Sequence, residues 1–237
     1  MNNSLHRVSR VEAVGLERQR ARLRWKDSMR SNITQAMKKC GVPEKFSAAE
    51  ESSISAGIWQ TANCVADGQG LFIFGASGVG KTYLAALCLK MFLLSMEPVF
   101  REDMGTVPQD VGFPMFSTVP DMLLAVRDTF KQRDLSENDV LKRYSVTPLL
   151  VLDDLGGEKI TEWSAKTLYT IINRRYAGKQ PLVITSSMNL KELEDGYNAA
   201  SAKTGSAIAI RITETSKILS LQAARKTMAR GRKRRQR

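Results

Sequence analysis

Beyond the turn residues Asp67 and Gly68, short apolar runs alternate with longer stretches of helical spacing. The runs occupy residues 71–74, 114–118, 149–154, 181–187 and 217–221. Helical patterns start at Lys81, Pro120, Ser136 and Thr161, and again near Leu190 and Ser201. Runs that are apolar at nearly every position suit strands covered on both faces. Strands alternating with helices in this way predict an α/β fold, a parallel sheet sandwiched between helices in an αβα arrangement.

The N-terminal stretch differs. No proline precedes Pro43, and Met29, Ile33 and Met37 recur every fourth position, which predicts a helix there. Arg18 and Arg22 fall on one helical face and Arg20 and Arg24 on another, giving basic stripes rather than an apolar seam. Gly41 and Pro43 break the chain, and Ser47 with Glu50 reads as a capping box opening a second helix to about Ala66. A domain boundary is therefore expected between Cys40 and Ser47. It separates an N-terminal helical arm (1–46), expected to dock a partner, from an α/β domain (47–225). A basic tail (226–237) is expected to be disordered, since it cannot bury enough apolar surface to fold. Residues 101–113 read as an extra loop before the second strand.

Composition narrows the function classes. With 237 residues, 43% hydrophobic and 25% charged, the chain is an ordinary globular domain with appendages, not a fibrous or wholly disordered one. The longest apolar stretch, 84–94, is interrupted by Lys90 and falls short of the roughly 20 residues a membrane span needs. The start lacks the apolar segment of a secretory signal, so a cytoplasmic location is expected. Cys40, Cys64 and Cys88 stand 24 residues apart beside a lone histidine, a spacing that suits small buried hydrophobes better than zinc ligands. The net charge of +12 sits at the ends: residues 1–31 carry +5, residues 225–237 carry +8, and the body is near neutral. Such ends suit a polyanion, nucleic acid rather than membrane, because the tail has no Trp, Phe or Leu to insert. A merely solubilising tail is the alternative.

The strongest chemical signal is GASGVGKT: Gly75, Ala76, Ser77, Gly78, Val79, Gly80, Lys81 and Thr82. It satisfies the phosphate-loop pattern GxxxxGK[ST], and it follows an apolar strand and opens a helix, where backbone N–H groups and the helix dipole meet an anion. ATP with Mg²⁺ is the expected ligand; Lys81 would meet the β- and γ-phosphates and Thr82 the metal. The run ending in Asp153 and Asp154 supplies the acidic partner. Asp153 would join the Mg²⁺ shell and Asp154 would activate the attacking water, with Glu158 in reserve; capping the following turn is the alternative for Asp154. Arg211, set among apolar neighbours, reads either as an arginine finger or as one half of a structural salt bridge.

Further segments carry a resemblance: GVPEKF, STVPDMLLAVRDTF, TPLLVLDDLGGEKITEW, PLVITSSMNLKEL, and AIRI ahead of KILSL. Over about 41–225 the chain resembles the DnaC-type helicase loaders and the related IstB-type transposition helpers, which are AAA+ ATPases with a P-loop core. The resemblance implies an ATPase that assembles into a homo-oligomer through its nucleotide sites and loads a replicative helicase onto single-stranded DNA. It aligns Ser187 with the polar sensor at the end of a strand, with Asn189 as the other candidate, Arg211 with the finger acting on a neighbouring subunit, and Arg225 with a second sensor. Arg127, Lys131 and Arg133 fall where this superfamily puts single-strand contacts, or else form a solvated helix face. Serine in place of asparagine at the sensor implies slow hydrolysis. The arm lacks the cysteine cluster of zinc-bearing loaders, so docking would use the Arg-rich helix. Rival readings are a transposase helper, a P-loop small-molecule kinase, and a DNA-binding adaptor that does not hydrolyse ATP.

Overall fold

The computed structural model describes residues 2–101, 105–107, 112–131 and 136–222. In chain order its elements are α1 (Asn2–Ser31), α2 (Ile33–Lys39), α3 (Ala56–Ala62), β1 (Gly70–Phe74), α4 (Lys81–Ser95), β2 (Val99–Arg101), β3 (Gly105–Val107), β4 (Met115–Thr118), α5 (Val119–Asp128), α6 (Glu137–Val146), β5 (Leu150–Leu155), α7 (Glu162–Ala177), β6 (Leu182–Ser186), α8 (Leu190–Ala200), α9 (Thr204–Thr215) and β7 (Ser216–Ser220). The main sheet has five parallel strands in the order β4-β5-β6-β1-β7. Alternate side chains of each strand enter different cores, which is why the runs are apolar throughout. Phe72, Leu150, Leu152 and Ile184 join the core under α5 to α9, while Leu71, Ile73, Val151 and Val183 join the one under α2 and α4. Side-chain caps fix several helix starts: Thr118 on α5, and capping boxes Ser136/Asp139, Thr161/Ser164 and Asn189/Glu192 on α6, α7 and α8.

Two expectations need correction. No helix starts at Ser47: its hydroxyl donates to the Glu44 carbonyl at 2.8 Å. The Glu50 backbone gives both its groups to the Tyr83 hydroxyl, N–H to O at 2.7 Å and O–H to carbonyl at 3.1 Å. A contact across 33 residues thus outbids the local cap, and the helix shrinks to α3. Nor is the stretch around 101–113 all loop, since β2 and β3 pair antiparallel with Phe100 opposite Thr106.

The arm shares a core with the body. Met37, Cys40 and Val42 are buried with the apolar face of α4, and the Phe116 N–H on edge strand β4 donates to the Cys40 carbonyl at 2.7 Å. α1 breaks from α2 at Asn32, whose side-chain amide donates to the Ser28 carbonyl at 2.9 Å. Lys26 and Arg22 both hold Glu97, at 3.1 and 3.3 Å, beyond the end of α4, while residues 14–20 are exposed throughout. All three cysteines are buried in this core. Among the described residues no helix is long and apolar enough to cross a membrane.

Arg175 on α7 is 1% exposed. It donates to the carbonyls of Tyr144 and Thr147 at 2.9 Å, and also to that of Pro181, pinning the end of α6 to the start of β6. Burial lowers its pKa to about 9, so the guanidinium keeps its proton at neutral pH.

Candidate functional site

β1 delivers the phosphate loop to the N-terminus of α4. A Cβ on Gly75 would lie 2.1 Å from the Leu221 carbonyl, so only glycine lets the loop leave the sheet beside β7. Gly80, with φ +99°, is the left-handed residue from which α4 begins. Lys81 folds back over the loop, its Nζ donating to the carbonyls of Gly75 at 2.8 Å and Ala76 at 2.9 Å. Val79 packs against the core below.

The strand order sets the rest. β6 lies between β1 and β5, so a β6 side chain stands between the phosphate loop and the aspartates. That residue is Thr185, 1% exposed, whose hydroxyl donates to Asp153 Oδ1 at 2.6 Å and accepts the Asp154 N–H at 2.9 Å. The Thr82 hydroxyl donates to Asp153 Oδ2 at 3.1 Å, joining the two motifs across 71 residues. Burial raises the Asp153 carboxyl above its usual range, the hydrogen bonds from Thr185 and Thr82 pull it down, and Asp154 and Lys81 act as weaker, opposed charges. Asp154 is exposed, with φ +63°, at the irregularity that interrupts the β5–β6 register between Leu152 and Leu155.

These groups line one cleft of about 570 Å³. Ser77, Gly78, Gly80, Lys81 and Thr82 form one wall, Asp153, Asp154 and Thr185 the floor, and Thr118 and Pro120 a further side. Lys45 and Phe46, from the segment after α2, close the cleft; the Phe46 ring stands edge-on to Tyr83 at 6.5 Å. The donor set fits ATP with Mg²⁺: backbone N–H groups at a helix start, a lysine, and hard oxygens from Thr82 and Asp153 already in contact.

Other expected residues lie elsewhere. Ser187 is exposed and absent from the cleft lining, where Thr185, which the sequence reading missed, stands instead. Asn189 is committed to capping α8. Glu158 is not a free reserve base: one oxygen accepts the Gly156 N–H at 2.9 Å and the other the hydroxyl of buried Tyr197. Arg211 has no salt bridge among the described residues. Its Nε donates to Asn173 at 2.6 Å, and its guanidinium lies 5.1 and 5.4 Å from the rings of Tyr169 and Tyr176. Arg127 lies 5.0 Å from the Trp163 ring, beside exposed Phe130. Arg133, Arg225 and the basic tail lie outside the described residues.

Comparison with known proteins points the same way. The family model described as IstB-like ATP binding protein matches residues 17–236. The replicative helicase loader DnaC of Escherichia coli K12 is 29% identical over 123 residues, which cover 52% of this chain and 44% of DnaC. The replicative helicase loader DnaI of Bacillus subtilis 168 is 26% identical over 131 residues, 55% of this chain and 37% of DnaI. The matching stretches thus span less than half of either relative. The crystal structure of DnaI superposes with a TM-score of 0.60 at 20% identity, covering 76% of this chain and 94% of that one, so the fold is shared.

Proposed function

Since the chain belongs to the family of IstB-like ATP binding proteins, we propose that it hydrolyses ATP, assembles through its nucleotide sites, and loads a replicative helicase onto single-stranded DNA. The observation that carries the ATPase part is the contact of Thr82 with Asp153, which joins phosphate loop and acidic strand in one cleft. The loader part is supported by the relatives DnaC and DnaI.

In this reading Lys81 exchanges the Gly75 and Ala76 carbonyls for phosphate oxygens. Thr82 and Asp153 would hold Mg²⁺, whose chemistry when bound is to neutralise charge on the phosphates. Thr185 orients Asp153, and Asp154, exposed at the cleft, accepts the proton of the attacking water. Arg211 acts on a neighbouring subunit's nucleotide, Arg225 responds to the phosphate, and Arg127, Lys131 and Arg133 contact the strand. The arm docks the helicase.

ATP turnover by the full chain, with and without single-stranded DNA and a replicative helicase, tests this together with co-purification. Stimulated turnover and helicase capture are expected. Capture of a transposase, phosphorylation of a small molecule, or no turnover at saturating DNA would each refute the loader reading in favour of its respective rival.

A further inference from the structure

We propose that Glu158 and Tyr197 are positioning residues for hydrolysis: they brace the turn that carries Asp154 and tie it to α8. The kinetic part rests on the ATPase reading above.

Asp154 holds a left-handed backbone, which a residue with a side chain keeps only where its surroundings enforce it. On its N-terminal side the enforcement is the bond from its N–H to Thr185. On its C-terminal side the Gly157 N–H donates to the Asp154 carbonyl at 3.1 Å, closing the turn. The Asp154 carboxylate rests directly on Gly157, since a Cβ there would lie 2.2 Å from Asp154 Oδ2. A shift of Gly157 therefore changes the surface on which that carboxylate rests.

Glu158 anchors these glycines. Its Oε2 takes the Gly156 N–H at 2.9 Å, and its Oε1 takes the Tyr197 hydroxyl, which comes from 39 residues away. Tyr197 is fully buried. A phenylalanine would fill that core equally well, so the hydroxyl is there for its partner. The turn also packs on α8 directly: a Cβ on Gly156 would meet the Leu193 side chain at 2.8 Å. α8 is joined in turn to α9, where Ser206 donates to Glu194 at 2.6 Å and Asn198 donates to Ser206 at 2.9 Å. α9 carries Arg211. One chain of contacts therefore runs from the hydrolytic aspartate to the helix of the proposed finger.

The test uses the full chain in three variants: Tyr197→Phe, Glu158→Ala and Glu158→Gln. Hydrogen exchange is followed across 154–158 without nucleotide. In Tyr197→Phe and Glu158→Ala, exchange at Gly156 and Gly157 should speed up at least about tenfold, the lower end for one hydrogen bond to a charged acceptor, while α5 stays unchanged. Glu158→Gln can still accept from Gly156 and donate to Tyr197 Oη, so it should recover most of the protection. Turnover should follow the same order, with kcat down about tenfold and KM within about twofold, as neither residue touches the phosphate loop. Unchanged exchange in both brace-breaking variants overturns the proposal. So does a Glu158→Gln variant as inactive as Glu158→Ala with normal turnover in Tyr197→Phe, which would make Glu158 the proton acceptor. Exchange judges the brace even if the wild type proves inactive, a result that would refute the ATPase reading alone.

Discussion

Thr185→Val removes one oxygen and keeps the shape. That oxygen donates to Asp153 at 2.6 Å and accepts from the Asp154 N–H at 2.9 Å, in a site 1% exposed. Losing a hydrogen bond to a charged acceptor costs about 1.5–3 kcal/mol, and an orphaned buried amide a further ~1–3 kcal/mol. Slight relaxation and the added methyl offset part of this, leaving an expected destabilisation of about 3 kcal/mol near neutral pH. For a chain of this size that lowers Tm by roughly 6–12 °C. The pH dependence gives a second check. Burial already holds the Asp153 carboxyl above its usual range against the pull of Thr185 and Thr82, and deleting Thr185 raises it further. A carboxyl whose pKa is higher folded than unfolded contributes stability that is complete below the unfolded pKa and lost as pH rises through the folded one. The gap between wild type and variant should therefore be widest at neutral pH and above and should narrow on acidification, as protonation of Asp153 relieves the variant first. Urea unfolding of the nucleotide-free protein measures both. A gap under about 0.5 kcal/mol at the higher pH, or one that widens on acidification, would refute the reasoning. Thr185→Ser, which keeps the hydroxyl, should recover most of the loss.

Other expectations follow from the same cleft and its surroundings. Lys81→Ala should abolish binding of a fluorescent ATP analogue with Tm nearly unchanged, since among the described residues Lys81 bonds to carbonyls of its own loop; wild-type binding would sink the phosphate-loop assignment. Asp154→Asn should bind Mg²⁺–ATP yet fail to hydrolyse it, and loss of binding instead would mean that the two aspartates have exchanged roles. Arg211→Ala should lose about 10³-fold or more in turnover, and mixing it with Asp154→Asn should restore some activity if the finger works between subunits. Deleting residues 229–237 removes six positive charges, so the slope of log K against log salt for single-stranded DNA should fall by about 3–4 with ATP binding unchanged.

Strands and phosphate loop were legible because their signals are local. Residues 71–73 and 149–152 are buried on both faces, and burial of that kind leaves an uninterrupted apolar run. GASGVGKT and the paired aspartates announce themselves by spacing. Thr185 was hidden because its importance comes from β6 lying between β1 and β5, an order that no single segment encodes. Ser47 and Glu50 misled for a related reason: the cap is good local chemistry, but the Tyr83 hydroxyl competes for the same backbone. The burial of Arg175 carries no sequence signal, because buried arginines are rare and its acceptors are backbone carbonyls, which leave no mark in the sequence. For Arg211 the salt-bridge alternative finds no carboxylate among the described residues; an asparagine and two tyrosines hold it within the chain.

The seating of Leu221 on Gly75 couples the edge strand β7 to the phosphate loop. The Leu221 N–H bonds to the Phe74 carbonyl at 2.7 Å, and the Leu221 carbonyl is pressed against the phosphate loop. The backbone just after β7 thus lies beside the loop that leaves β1. A change that displaces β7 would therefore reach the phosphate loop through backbone contact alone, without any side chain in between.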